Sequence, residues 1–147
     1  MEQIRLANNQ DLLEINQLIK TIFKRENITK ITAQGHDNFL HFISYDSLSK
    51  RISVGSKIWL YKINSELVGV LEINRENHIF LYFVKKKYRG RKIGKALFNY
   101  VKTQISGDIT ANSSDYALPI YQKLGFIQTG IPKNQGGIIV SPVLYKN

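Results

Sequence analysis

Between Lys86 and Lys92 the chain places five basic residues, with Gly90 inside the cluster and Gly94 just beyond it. An apolar pattern at helical spacing (Ile93, Leu97, Tyr100, Val101, Ile105) begins immediately afterwards. A helix N-terminus offers unpaired N–H groups and the positive end of a dipole, which together suit phosphate oxygens. Glycine lets a backbone come close to such an anion, and Arg89, Arg91, Lys92 and Lys95 would add charge around it. This segment is expected to bind an anion; its bland alternative is a basic, solvated helix start.

Other chemistry is thinner. There are no cysteines, so thiolate nucleophiles, thiolate metal sites and disulfides are excluded. His36 and His41 stand five apart, a spacing that does not share one helical face, and no metal site is expected. The net charge of +10 suggests an anionic partner: nucleic acid, a phosphorylated cofactor or an acidic protein. Excess lysine can also merely solvate a surface, and only KKKYRGRK at 85–92 is a real cluster. The longest strongly apolar run, Ile79–Val84, falls far short of the roughly 20 residues a membrane helix needs. The N-terminus carries no apolar signal stretch, so a soluble, cytoplasmic protein without membrane contact is expected, monomer or homodimer.

The elements that must position these groups read as one mixed α/β domain over 1–147. Residues 2–6 suggest a strand. Asn8, with Asp11 three residues on, caps a helix carrying Leu12, Ile15, Ile19 and Ile22 and ending near Lys24. Residues 36–49 suggest a second, aromatic-rich helix. Three strands, 57–63, 67–73 and 78–84, are separated by turn-like Asn64-Ser65 and Asn74–Asn77 and should form an antiparallel meander. The helix after the basic cluster is followed by a short strand at 108–111, then by a helix from about Ser113 to Leu124 with Gly125 as its left-handed cap. FIQTG and IIVSPVLY close the chain as strands, Pro142 placing part of the last at an edge or bulge. The order is β-α-α-β-β-β-α-β-α-β-β: a mixed, mostly antiparallel central sheet flanked by about four helices.

LYFVKKKYRGRKIGKAL, NSSDYALPIYQKLGF and this strand order together resemble the GCN5-related N-acetyltransferase (GNAT) family. The resemblance spans essentially the whole chain, with its specific motifs between about 78 and 126. It implies acetyl-CoA as acetyl donor and direct transfer to a primary amine, with no metal. The family's pyrophosphate-binding pattern, Q/R-x-x-G-x-G/A, fits in two registers: Arg91–Ala96 literally, or Arg89–Gly94 with lysine at a usual glycine. In the family the pattern starts five residues after the strand's terminal valine, and Val84 plus five is Arg89. The second register is therefore taken, with Arg89, Gly90, Arg91, Lys92, Ile93, Gly94 and Lys95 around the phosphates. Lys92 is expected to be already helical, where glycine is not required.

The resemblance also implies roles. The backbone N–H of Tyr82 would face the oxyanion; Phe83, Val84 and, across the cleft, Asn112 would hold pantetheine. Tyr121 falls on the tyrosine of A-x-x-x-Y-x-K-L-G-F, which protonates or hydrogen-bonds the departing thiolate; otherwise it is a core tyrosine. Pro119 is expected to disturb the turn that presents it. His78 stands where the histone-acetylating branch has a glutamate base, with Glu72 as runner-up and a surface histidine as the bland alternative.

Competing readings are a nucleic-acid-binding module, an acetyltransferase acting on an RNA-linked amine, and a CoA-binding fold without turnover. Phe80, Tyr82 and Phe83 read as core strand residues rather than exposed stacking platforms, which disfavours the first. The acceptor pocket is expected from the first two helices and the loop near 130–137, through TAQGHDNF and GIPKNQGG. Neither names a substrate.

Overall fold

A computed structural model describes residues 1–25 and 31–147. Strand β1 (Glu2–Leu6) leads through a 3-10 turn into α1 (Leu12–Arg25); α2 (Ala33–Phe42) and α3 (Tyr45–Ser53) follow. Asn8 does form the capping box, its side chain accepting from Gln10 N while Asp11 accepts from Asn8 N. The stretch expected as one helix over 36–49 is two. Ser44 turns extended, its side chain accepts from Ser47 N, and a new helix starts with Asp46 in its first turn.

β2 (Lys57–Ile63), β3 (Glu66–Ile73) and β4 (His78–Val84) form the expected meander. Asn64 and Ser65 both take positive φ, as a tight right-twisted hairpin turn requires. The chain then crosses through α4 (Ile93–Thr103) to β5 (Ile109–Ser114), which pairs parallel to β4. Next come α5 (Leu118–Leu124), β6 (Ile127–Gln128), β7 (Lys133–Gln135) and β8 (Ile138–Tyr145). The sheet runs β1-β2-β3-β4-β5-β8-β6, with β7 also on β8. The fold class is the one expected, with five helices and eight strands among the described residues.

Differences lie at element ends. β5 continues to Ser114 because β8 pairs with it through Ser113 and Ser114, so the next helix starts five residues later than expected. Pro119 falls in the first turn of α5, where its missing N–H costs nothing, and it does not distort the helix. Pro142 pairs with Asn112, and its carbonyl accepts from Thr129 N on the opposite side. Its absent N–H therefore faces the gap between β6 and β7, a local edge within an inner strand.

Each sheet face has its own core. Ile15, Ile19, Leu48, Leu60, Val70 and Leu81 fill the face under α1 and α3. Trp59, Val68, Leu71, Leu97, Phe98, Ile109 and Phe126 fill the face under α4 and α5. Along β4 the pleat breaks at Phe80, where Ile73 pairs Ile79 but Glu72 pairs Leu81. The bulge lets Ile79 and Leu81 serve opposite cores and leaves Phe80 37% exposed. Phe80 is thus not the core residue the apolar run suggested.

Candidate active site

β4 and β5 share two paired rows, His78 with Thr110 and Ile79 with Ala111, and then diverge. Lys85 N donates to Val68 O of β3, so by strand alternation the N–H groups of Leu81 and Phe83 also face β3. Those of Tyr82 and Val84 face the divergence, where no described residue accepts from them. The Val84 carbonyl lies on the same side and accepts from Arg89 Nε at 3.1 Å.

A cavity of about 910 Å3 opens along this split. At one end lie Arg89, Gly90, Lys92, Ile93, Gly94 and Lys95. Ala96 N is the first α4 amide with an intrahelical acceptor, Lys92 O at 2.9 Å, so the N–H groups of Ile93, Gly94 and Lys95 are left over. Behind the loop, Glu66 accepts from Lys85 Nζ (2.8 Å) and Tyr88 OH (2.9 Å), and these bonds hold its carboxyl down at about 2. Arg89 Nη1 donates to Tyr116 OH (3.0 Å), and the Arg91 guanidinium lies 5.2 Å from the Tyr88 ring. Lys85 is thereby tied to β3, Arg89 to the β5–α5 connection and Arg91 to its own loop.

Tyr121, on α5, is 7% exposed, its ring 5.9 Å from that of Tyr82 and 5.0 Å from that of Phe126. Its hydroxyl has no hydrogen-bond partner among the described residues, yet it is not sealed off: Tyr121 lines the cavity. Burial pushes the phenol above its ordinary pKa, so it keeps its proton at neutral pH. The Tyr82 hydroxyl is spent differently, donating to Gly94 O inside α4. Further along, His78 Nδ1 is 2.7 Å from Thr110 Oγ1, and the imidazole's pKa is lowered by burial first and by Lys133 second, against Glu76. Asn112 Nδ2 donates to Gln135 Oε1 (2.8 Å). The far end is closed by α2 and the β7–β8 hairpin, pinned by Thr32 N to Gly137 O (3.0 Å). A Cβ on Gly35 would lie 2.6 Å from Gly137 O, so glycine is needed for that approach.

A split strand pair, a basic helix start and an unpartnered phenol in one cavity match the pattern of a known domain: the acetyltransferase (GNAT) family model fits residues 27–144. The chain belongs to the GNAT acetyltransferase family. Solved structures agree on the fold. A GCN5-related N-acetyltransferase of Rhodopseudomonas palustris superposes with a TM-score of 0.85 at 14% identity, over 100% of this chain and 96% of its own. The PaiA N-acetyltransferase of Thermoplasma acidophilum, solved with coenzyme A, gives 0.82 at 16%, over 100% and 99%. A GNAT acetyltransferase of Staphylococcus aureus Mu50 gives 0.77 at 23% identity, over 99% of both chains.

Three expectations about this GNAT domain change. Lys92 is not helical: it is the N-cap of α4, at φ 62° and ψ 22°, left-handed. The position does ask for glycine, which also supports the Arg89–Gly94 register. Gly90 needs its glycine for φ +83°, while a Cβ on Gly94 would meet Tyr82 OH and Val84 Cγ2 at 3.3 Å. Gly94 thus makes room for β4 behind the helix rather than for an anion in front. Glu72 is no base for this cavity. It is fully buried on β3, bound by Arg51 Nε (2.8 Å), Arg51 Nη2 (2.9 Å) and Ser56 Oγ (2.6 Å), and it does not line the cavity. Sequence reasoning also missed Thr110 and Tyr116, partners of His78 and Arg89, which nothing in their local spacing marks. Gln135, which accepts from Asn112, belongs to the GIPKNQGG stretch expected to line the acceptor pocket, and it lines the cavity.

Proposed function

We propose that this GNAT domain transfers acetyl from acetyl-CoA directly to a primary amine. One observation carries the reading: amides left unpaired by the β4–β5 split, the free N-terminus of α4 and the unpartnered Tyr121 hydroxyl line one cavity. The coenzyme A held by the Thermoplasma relative supports the donor. The N–H groups of Ile93, Gly94 and Lys95, with Arg89, Gly90, Arg91 and Lys92 around them, receive the pyrophosphate. Val84 N–H and Asn112 hold the pantetheine arm from its two sides, and Phe83 packs beside it.

The amine nitrogen attacks the thioester carbon, the carbon–sulfur bond breaks, and the nitrogen gives up one proton. Tyr82 N–H faces the oxygen on which negative charge develops; a fixed donor there costs no reorganisation. Tyr121, its proton retained by burial, donates a hydrogen bond to the sulfur as charge builds on it. His78, kept neutral by its lowered pKa, accepts the amine's proton directly or through one water.

Tyr121→Phe tests the assignment. Folding and acetyl-CoA affinity by calorimetry should survive, while the chemical step slows by about 10²–10⁴. An unchanged single-turnover rate would return Tyr121 to a packing role, and failure of acetyl-CoA to bind the wild type would remove the reading altogether.

A further inference from the structure

Building on that reading, we infer that the acceptor is an arylalkylamine: a primary amine on an uncharged aromatic body, bound at the end of the cavity opposite the basic loop. That end is walled by aromatic rings. Phe23 stacks on Phe39 (4.2 Å), Phe39 leans on Phe83 (6.1 Å), and Phe80 meets Phe42 (5.6 Å) and His78 (5.7 Å) edge-on. All six line the cavity. Phe80 is offered to it by the bulge in β4, an exposed ring on a strand whose neighbours Ile79 and Leu81 are buried.

Charge selects as strongly as shape. Among the described residues, no aspartate or glutamate lines the cavity at all. The polar side chains at this end are already engaged. Asn38 Nδ2 donates to Gly136 O (3.0 Å) while its Oδ1 accepts from Gln34 Nε2 (2.9 Å), and Gln135 Oε1 accepts from Asn112. Nor are the rings free to cradle a second cation. The Arg51 guanidinium lies 3.8 Å from the Phe42 ring centre and 5.8 Å from that of Phe80, its charge paired with Glu72 behind the wall. Buried charge needs a partner, and a diamine's second ammonium finds none here. One amine can enter beside His78 as the neutral base, its ammonium proton left in bulk water, and His78 takes the proton its nitrogen releases on attack.

Calorimetry with 2-phenylethylamine and butane-1,4-diamine, each with and without saturating CoA, decides. The aromatic amine should bind about 10- to 100-fold more tightly, the worth of burying one phenyl group. Phe80→Ala, which removes a ring outside both cores, should cost the aromatic amine about tenfold and leave CoA affinity unchanged. Equal or tighter binding of the diamine, no binding of the aromatic amine, or indifference to Phe80→Ala would each overturn the acceptor class. Tight aromatic-amine binding without amine-dependent CoA release would uphold the class and overturn acetyl transfer instead.

Discussion

From β1 to β4 each strand meets the next over five or more paired rows, whereas β4 and β5 share only two. The difference runs through a single strand. On the β3 side, the amides of β4 are consumed by the ladder; on the other, those of Tyr82 and Val84 have no acceptor among the described residues. The polar side chains follow suit. In the closed ladder Glu72 is ringed by Arg51 and Ser56, each oxygen satisfied. At the split, the Tyr121 hydroxyl lines the cavity without a hydrogen-bond partner among the described residues. Backbone donors left over by strand pairing collect at the split, and chemistry needs such donors in advance of substrate; within the ladder the buried Trp59 Nε1 is the side-chain atom left unpartnered among the described residues. Changes in the ladder should therefore strike stability, and changes at the split should strike rate.

Glu72→Ala is the hardest test of that division. It strands the Arg51 guanidinium, whose side chain is 15% exposed, against an apolar cavity. Losing one member of a buried pair costs about 3–5 kcal/mol, which lowers the melting temperature by roughly 10 °C. Below the transition, kcat should remain that of the wild type. Combining Glu72→Leu with Arg51→Met should restore most of the lost stability, since a well-packed apolar pair can replace a buried ionic one. A variant that melts normally but has lost turnover would put Glu72 back in the chemistry and break the comparison.

Lys92 stands on the boundary and should show both kinds of effect. Its left-handed backbone is unfavourable for any residue with a Cβ, so Lys92→Gly should stabilise the fold by about 1 kcal/mol, or roughly 3 °C. Removing the ammonium should also weaken acetyl-CoA binding modestly, and the loss should shrink as salt rises. Thermal melts and calorimetry at two ionic strengths measure the two effects separately. A lower melting temperature would mean that the lysine side chain, not the backbone, matters at this position.

How far the sequence showed all this depended on periodicity. α1 and α4 were legible because Leu12, Ile15, Ile19 and Ile22, and then Ile93, Leu97 and Val101, repeat at helical spacing and are buried. The β2–β3 turn was legible because asparagine and serine tolerate positive φ. HIFLYFV was legible as the strand 78–84, but its bulge was not: an unbroken apolar run has no alternation, so the register shift that turns Phe80 into the cavity leaves no trace. The break at Ser44 did leave one, a serine cap with Asp46 behind it, inside what looked like a continuous aromatic helix. Lys92 hid its left-handed conformation because a lysine does not announce one. Glu72 was misjudged because sequence distance to His78 says nothing of which sheet face a carboxylate occupies, nor that Arg51 waits there.

The smallest expected effect concerns His78, where ladder and split meet. Its imidazole is depressed by burial and, next, by Lys133 on β7. The neutral form is the one able to accept a proton, so activity should fall on acidification with an apparent pKa below the ordinary 6.5. Between 6.5 and that lower value the unfolded chain binds more protons than the folded one, so stability also falls as pH drops through this window. Lys133→Gln removes a like charge and leaves burial in place. The acid limb of kcat/KM should then move to higher pH, towards but not reaching 6.5, and His78→Gln should erase it. An aromatic amine titrates with its own alkaline limb, so the acid side is fitted alone. A limb that stays where it was in Lys133→Gln, yet vanishes in His78→Gln, would keep the base and discard Lys133. One that survives both would send the proton out through water, leaving His78 as the last closed row of the ladder rather than the first open one.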